Sequence, residues 1–69
     1  IEMKITLNGK MADLAPQIET LDDLLDHFAI NKSRTALELN GQIIARYDYS
    51  STQLKQGDCL EIVTFVGGG

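Results

Sequence analysis

Met3-Lys4-Ile5-Thr6-Leu7-Asn8-Gly9-Lys10 decides the fold. Met3, Ile5 and Leu7 alternate with Lys4 and Thr6, the two-residue period of a strand with one buried face. Asn8-Gly9 follows at once. A two-residue type I′ turn needs positive φ at both central positions, and Asn-Gly is the pair that tolerates this best. Residues 10–14 are therefore expected to return antiparallel. The same sign recurs downstream. Leu37 and Leu39 flank Glu38 in an alternating run over 35–39, Asn40-Gly41 makes a second turn, and residues 42–45 read as a short return strand. Pro16 lacks an amide hydrogen and is expected at a strand end or in a connector.

A helix lies between the hairpins. Thr20 is a good N-cap, and Asp23 three positions later completes a variant of the capping box. Asp22 and Asp23 complement the positive end of the helix dipole. Leu21, Leu24, Leu25 and Phe28 fall at i, i+3, i+4 and i+7, one apolar stripe to be laid on a sheet, and the helix should stop near Ala29. Residues 46–56 have no regular period and are expected to form a loop with one helical turn, anchored by Leu54. Gln56-Gly57-Asp58 turns the chain into a last strand over 59–66, where Leu60 and Ile62 point inward and Glu61, Val63 and Phe65 outward. The order is ββ-α-ββ-loop-β. If the first and last strands pair side by side and parallel, the helix crosses over and covers one face. The expected class is α+β: a mixed four- or five-stranded sheet packed on one main helix.

The chain has 69 residues, room for one domain. Ile1 and Glu2 precede the first methionine, and the native start is expected at Met3. The composition is 43% hydrophobic and 23% charged, that of a globular protein. Apolar runs are too short to span a bilayer and no secretory signal is visible, so neither membrane nor export is expected. Ten acidic residues against six Lys and Arg leave a net charge of −4. The cations Lys4, Lys10, Lys32, Arg34, Arg46 and Lys55 are scattered, whereas nucleic-acid binding needs them clustered. A partner with a basic surface suits this chain better. The single cysteine, Cys59, has no internal disulfide partner and fits a reducing, cytoplasmic setting.

Catalytic constellations are missing. His27 is the only histidine, so a histidine-based metal cluster is excluded, and a Cys59–His27 dyad would lack a third group to orient the base. His27 reads instead as a polar residue at the helix rim, and Cys59 as a small, partly buried strand residue. Asp22, Asp23 and Asp26 are spread around the helix axis and read as a solvated face rather than a metal site. Gly9, Gly41 and Gly57 each belong to a turn, so no glycine loop is left to cradle phosphate.

The end of the chain is different. Gly67-Gly68-Gly69 follows directly on the apolar run Ile62-Val63-Thr64-Phe65-Val66. Three successive glycines arise by chance in about three tripeptides per ten thousand. Lacking Cβ atoms, they can thread a slot too narrow for any side chain. Extended, they reach about 10 Å, enough to deliver the Gly69 carboxylate into another protein's active site. That carboxylate is inert until ATP makes its oxygen part of a leaving group, as a mixed anhydride with AMP that a sulfur or amine nucleophile attacks. The body offers no groups for this chemistry and would be the protein modified. Val63 and Phe65, beside the tail, should form an exposed apolar patch unless residues 46–56 cover them. With Glu61 and Val66 they are the candidate docking residues.

Met3-Lys4-Ile5-Thr6-Leu7-Asn8-Gly9-Lys10, Leu39-Asn40-Gly41-Gln42-Ile43-Ile44, Gly57-Asp58-x-Leu60-Glu61-Ile62 and the terminal Gly68-Gly69 resemble the β-grasp (ubiquitin-like) sulfur carriers, and among them the ThiS type. The resemblance implies a single β-grasp domain over 1–66 and a flexible tail over 67–69. It also implies a carrier in the thiazole branch of thiamin biosynthesis, itself no enzyme and holding no cofactor. An E1-like, ThiF-type adenylyltransferase using ATP and magnesium would activate Gly69, a persulfide donor would convert it to a thiocarboxylate, and a ThiG-type thiazole synthase would take the sulfur. Gly67 and Gly68 would provide passage. Two alternatives share the fold: the MoaD-type small subunit of molybdopterin synthase, and a ubiquitin-like modifier that ends in an isopeptide bond.

Overall fold

A computed structural model describes residues 2–66. Its elements are β1 (Met3–Leu7), β2 (Lys10–Leu14), α1 (Leu21–His27), β3 (Thr35–Leu39), β4 (Gln42–Ile44) and β5 (Cys59–Thr64), with 3-10 turns at Lys32–Arg34 and Arg46–Asp48. They form one five-stranded sheet in the order β2-β1-β5-β3-β4. β1 and β5 run parallel and every other neighbouring pair is antiparallel. The two hairpins form as expected, with φ of 49° and 82° at Asn8-Gly9 and 51° and 85° at Asn40-Gly41. β4 is one residue shorter than 42–45, and β5 ends at Thr64 rather than Val66.

Leu21, Leu24 and Leu25 of α1 are fully buried. Opposite them the sheet contributes Ile5, Leu14, Leu37 and Leu60, each at most 1% exposed. The helix start forms as the sequence implies. The Asp23 N–H donates to Thr20 Oγ1 at 3.1 Å, and Asp23 Oδ2 accepts the N–H of Thr20 and of Glu19 at 3.0 Å each. Those amides, Glu19 first and then Thr20, hold the Asp23 carboxyl below the usual carboxylate range.

The helix end differs from expectation. α1 stops at His27, and Phe28 is its C-cap, 46% exposed, not a core residue. Ala29 takes a left-handed φ of 55°, its N–H donates to Asp26 O, and the N–H of Ile30 reaches back to Leu25 O at 2.9 Å. This is a Schellman ending built without glycine. It swings the chain so that Ile30, rather than Phe28, packs on the core. The three helix aspartates do not form a uniformly solvated face either. Asp23 caps the helix, while Asp22 and Asp26, one turn apart, both hold Lys32 Nζ, at 2.6 and 2.8 Å. Those two carboxylates raise the Lys32 pKa.

Residues 46–56 wrap the start of the helix. The N–H groups of Leu21 and Asp22 donate to Thr52 O and Tyr49 O, and the Leu54 N–H donates to Glu19 O. Leu54 is buried as expected, and Tyr49, in the same irregular stretch, is 2% exposed.

Replacing Ala29 with glycine should raise stability by about 0.5–1 kcal/mol. The left-handed conformation costs a non-glycine residue about 1–2 kcal/mol, and glycine's greater freedom when unfolded takes part of that gain back. Chemical denaturation of Ala29→Gly checks this; a loss of stability would contradict the helix ending described.

Candidate functional site

β5 is the strand that precedes the terminal glycines in the sequence, and it is held from both sides. Leu60 is fully buried between β1 and β3, and Ile62 is half-buried against the core. Both turn asparagines fasten the strand. Asn8 Oδ1 accepts the Ile62 N–H at 2.7 Å, and Asn8 Nδ2 donates to Ile62 O at 3.4 Å. On the other side, Asn40 Oδ1 accepts the Cys59 N–H at 2.8 Å, while Asn40 Nδ2 donates to the buried Asp58 carboxylate at 3.0 Å. Asp58 also accepts the Lys55 N–H at 2.8 Å, closing the turn that feeds β5. Beyond Thr64 the chain keeps one sheet bond, from the Phe65 N–H to Arg34 O at 2.7 Å.

The face of the sheet away from α1 is open. Glu61, Val63 and Phe65 are exposed, Val63 and Phe65 by 56% and 54%, and Val66 at the exit by 92%. The segment 46–56 lies against the helix start and does not cover them. The four expected docking residues thus lie within one six-residue stretch beside the outgoing chain. Cys59 is exposed rather than partly buried, because its alternation places it on the same open face. Gly67, Gly68 and Gly69 lie outside the described residues.

Sequence reading did not find Glu38. In the β3–β5 register Glu38 stands directly opposite Glu61, and on its other side it pairs with the exposed Ile43 of β4. Two carboxylates directly across an antiparallel pair repel. At the far side of this face Lys4 Nζ already holds Asp13 Oδ1 at 2.6 Å. The open face therefore combines an acidic pair with Ile43 and Val63, a surface suited to a cation set in apolar surroundings. No group of three or more His, Cys, Asp or Glu able to hold a metal occurs among the described residues, nor a helix long and apolar enough to cross a membrane. His27 packs edge-on against Phe28, ring centroids 4.9 Å apart, on the helix side of the molecule.

A mixed sheet that grips one helix, with its last strand central and the opposite face open, defines a β-grasp, ubiquitin-like domain. A solved structure of thiamine biosynthesis protein ThiS from Geobacter metallireducens superposes with a TM-score of 0.81 at 30% identity, covering 97% of this chain and all of that one. The sequence profile of the ThiS family matches residues 5–69, and the chain belongs to that family. The sulfur carrier protein ThiS of Bacillus subtilis is 35% identical over 65 residues, spanning 94% of this chain and 98% of the relative. A thiazole synthase of Paramagnetospirillum magneticum is 33% identical over 67 residues, and this chain spans only 20% of its length.

The Glu38–Glu61 pair makes a direct prediction. Glu61→Gln should raise the thermal midpoint at low salt, with the gain shrinking in high salt as the repulsion is screened. In a double-mutant cycle with Glu38→Gln the two gains should be less than additive. A fall in midpoint, or strict additivity, would rule the repulsion out.

Proposed function

We propose that the Gly69 carboxylate is the reacting group of this chain and that the folded body serves to present it. Membership of the ThiS family makes the chain a sulfur carrier of thiamin biosynthesis. The chemistry is proposed as follows. A ThiF-type adenylyltransferase joins the carboxylate to the α-phosphate of ATP and releases pyrophosphate, with magnesium supplied in the partner's site. The terminal sulfur of a persulfide donor attacks the mixed anhydride and AMP leaves; a thiol then cleaves the S–S bond of the resulting acyl disulfide, leaving the outer sulfur on this chain and the donor sulfur in a disulfide. The resulting thiocarboxylate passes its sulfur to a ThiG-type thiazole synthase. Thiazole synthases with a ThiS-like segment support that last partner. This chain is then a protein co-substrate, not a catalyst. Gly67 and Gly68 let the end pass through a narrow channel, as residues without side chains can.

The observation that carries this reading is the continuity of a central, clamped β5 with a glycine end that the family profile matches through residue 69. The names of the matched relatives favour the thiamin pathway over the molybdopterin and modifier alternatives. Docking is assigned to the open face. Val63, Phe65 and Val66 supply apolar area next to the tail, and Glu61, beside Glu38, receives a basic residue of the partner.

Incubation with ATP, magnesium, the adenylyltransferase, a persulfide donor and a thiol reductant should raise the intact mass by the difference between sulfur and oxygen. The chain lacking Gly68 and Gly69 should stay unchanged; a shift in the shortened chain overturns the assignment. Phe65→Ala should weaken adenylyltransferase binding about fivefold or more in calorimetry, as expected for a buried aromatic contact, with an unaltered melting curve. Equal affinity would remove Phe65 from the docking surface.

A further inference from the structure

Backbone N–H and C=O groups of a strand point alternately to its two neighbours. In β5 the alternation is set by the observed bonds. Leu60 O accepts from the Asn8 N–H, and both main-chain groups of Ile62 are met by the Asn8 side chain, all on the β1 side. Cys59 O and the Phe65 N–H bond toward β3 and its flanks, through Asn40 and Arg34. Thr64 and Val66 therefore turn their main-chain groups to the β1 side. There β1 has ended: its pairing with β5 covers only Thr6↔Cys59 and Leu7↔Leu60, and the chain turns away at Asn8-Gly9. Among the described residues nothing pairs with Thr64 or Val66 on that side, and both are exposed.

The result is a half-edge in the middle of the sheet, capped at one end by the Asn8 amide and open toward the tail. Sheet edges left to solvent are commonly short or charged, which discourages pairing. The outer edges here follow that rule: β4 has three residues, and β2 carries Lys10 and Asp13. Thr64-Phe65-Val66 carries no charge and no proline. We propose that this half-edge accepts an extended segment of the adenylating enzyme, which adds as a strand in the place β1 vacates and bonds to the main chain of Thr64 and Val66. Strand addition fixes the direction of the outgoing chain through backbone bonds alone, before the first glycine, so the carboxylate enters the partner already aligned. A second copy of this chain fits the half-edge poorly. Such pairing would bring together two bodies that each carry a net charge of −4.

This proposal rests on the carrier reading, and the test separates the two. Cys59, the only cysteine, permits chemical ligation of a synthetic 59–69 segment to a 1–58 thioester. In one product the Val66 N–H is replaced by an ester oxygen, which removes a single donor and keeps every side chain. With the adenylyltransferase and ATP, the ester chain should show KM for the carrier raised about tenfold, kcat nearly unchanged and the same melting curve. An ester in place of the Phe65 N–H, which bonds within the sheet, should instead lower the melting temperature. An unchanged KM for the Val66 ester overturns the half-edge while leaving the carrier reading intact; failure of the all-amide chain to be adenylated overturns the carrier reading. Concentration-dependent dimerisation abolished by the Val66 ester would assign the edge to self-association and equally overturn the proposal.

Discussion

The structure depends on the insertion of β5 between β1 and β3. The two hairpins meet nowhere else in the sheet, since the strand order is β2-β1-β5-β3-β4. Each hairpin alone is at best marginally stable in water. Joining them requires a strand from the far end of the chain, and burial of Leu60 beneath α1 makes the union favourable. The turn asparagines take part twice. Each adopts the positive φ that its turn requires, and the side-chain oxygen of each accepts a main-chain N–H of β5. Turn formation and strand docking are coupled through the same two residues.

That coupling explains the division of labour within the molecule. Several charged side chains of the described residues fasten segments together: Lys32 with two helix carboxylates, Asp23 at the helix start, Asp58 beneath the last turn. Those contacts hold β5 in place as far as Thr64. The open face, by contrast, carries an acidic pair, Glu38 and Glu61, among the exposed apolar residues Ile43 and Val63.

Much of this was legible in the sequence because the signals were local. Asn-Gly pairs flanked by alternating residues have one good solution, and Thr20 with Asp23 marks a helix start by hydrogen-bond chemistry alone. The helix end was not legible. Its left-handed residue is Ala29, where a glycine would have announced it, so Phe28 was read into a stripe that Ile30 completes. Tyr49 was missed because an irregular segment has no period to show which residue turns inward. Glu38 was missed for a different reason: its proximity to Glu61 depends on strand order and register, which are properties of the assembled sheet. The exposure of Glu61, Val63 and Phe65 was legible through simple alternation along the last strand.

The parallel arrangement of β1 and β5 has a mechanical side. The start of β1 and the end of β5 lie at opposite ends of the sheet, so tension applied to the tail acts along the strands and strains their bonds together rather than one after another. A machine that grips the carboxyl end and draws it into a cavity would meet resistance from the whole central ladder at once. Loaded along that axis, the paired strands yield as a unit rather than peeling apart.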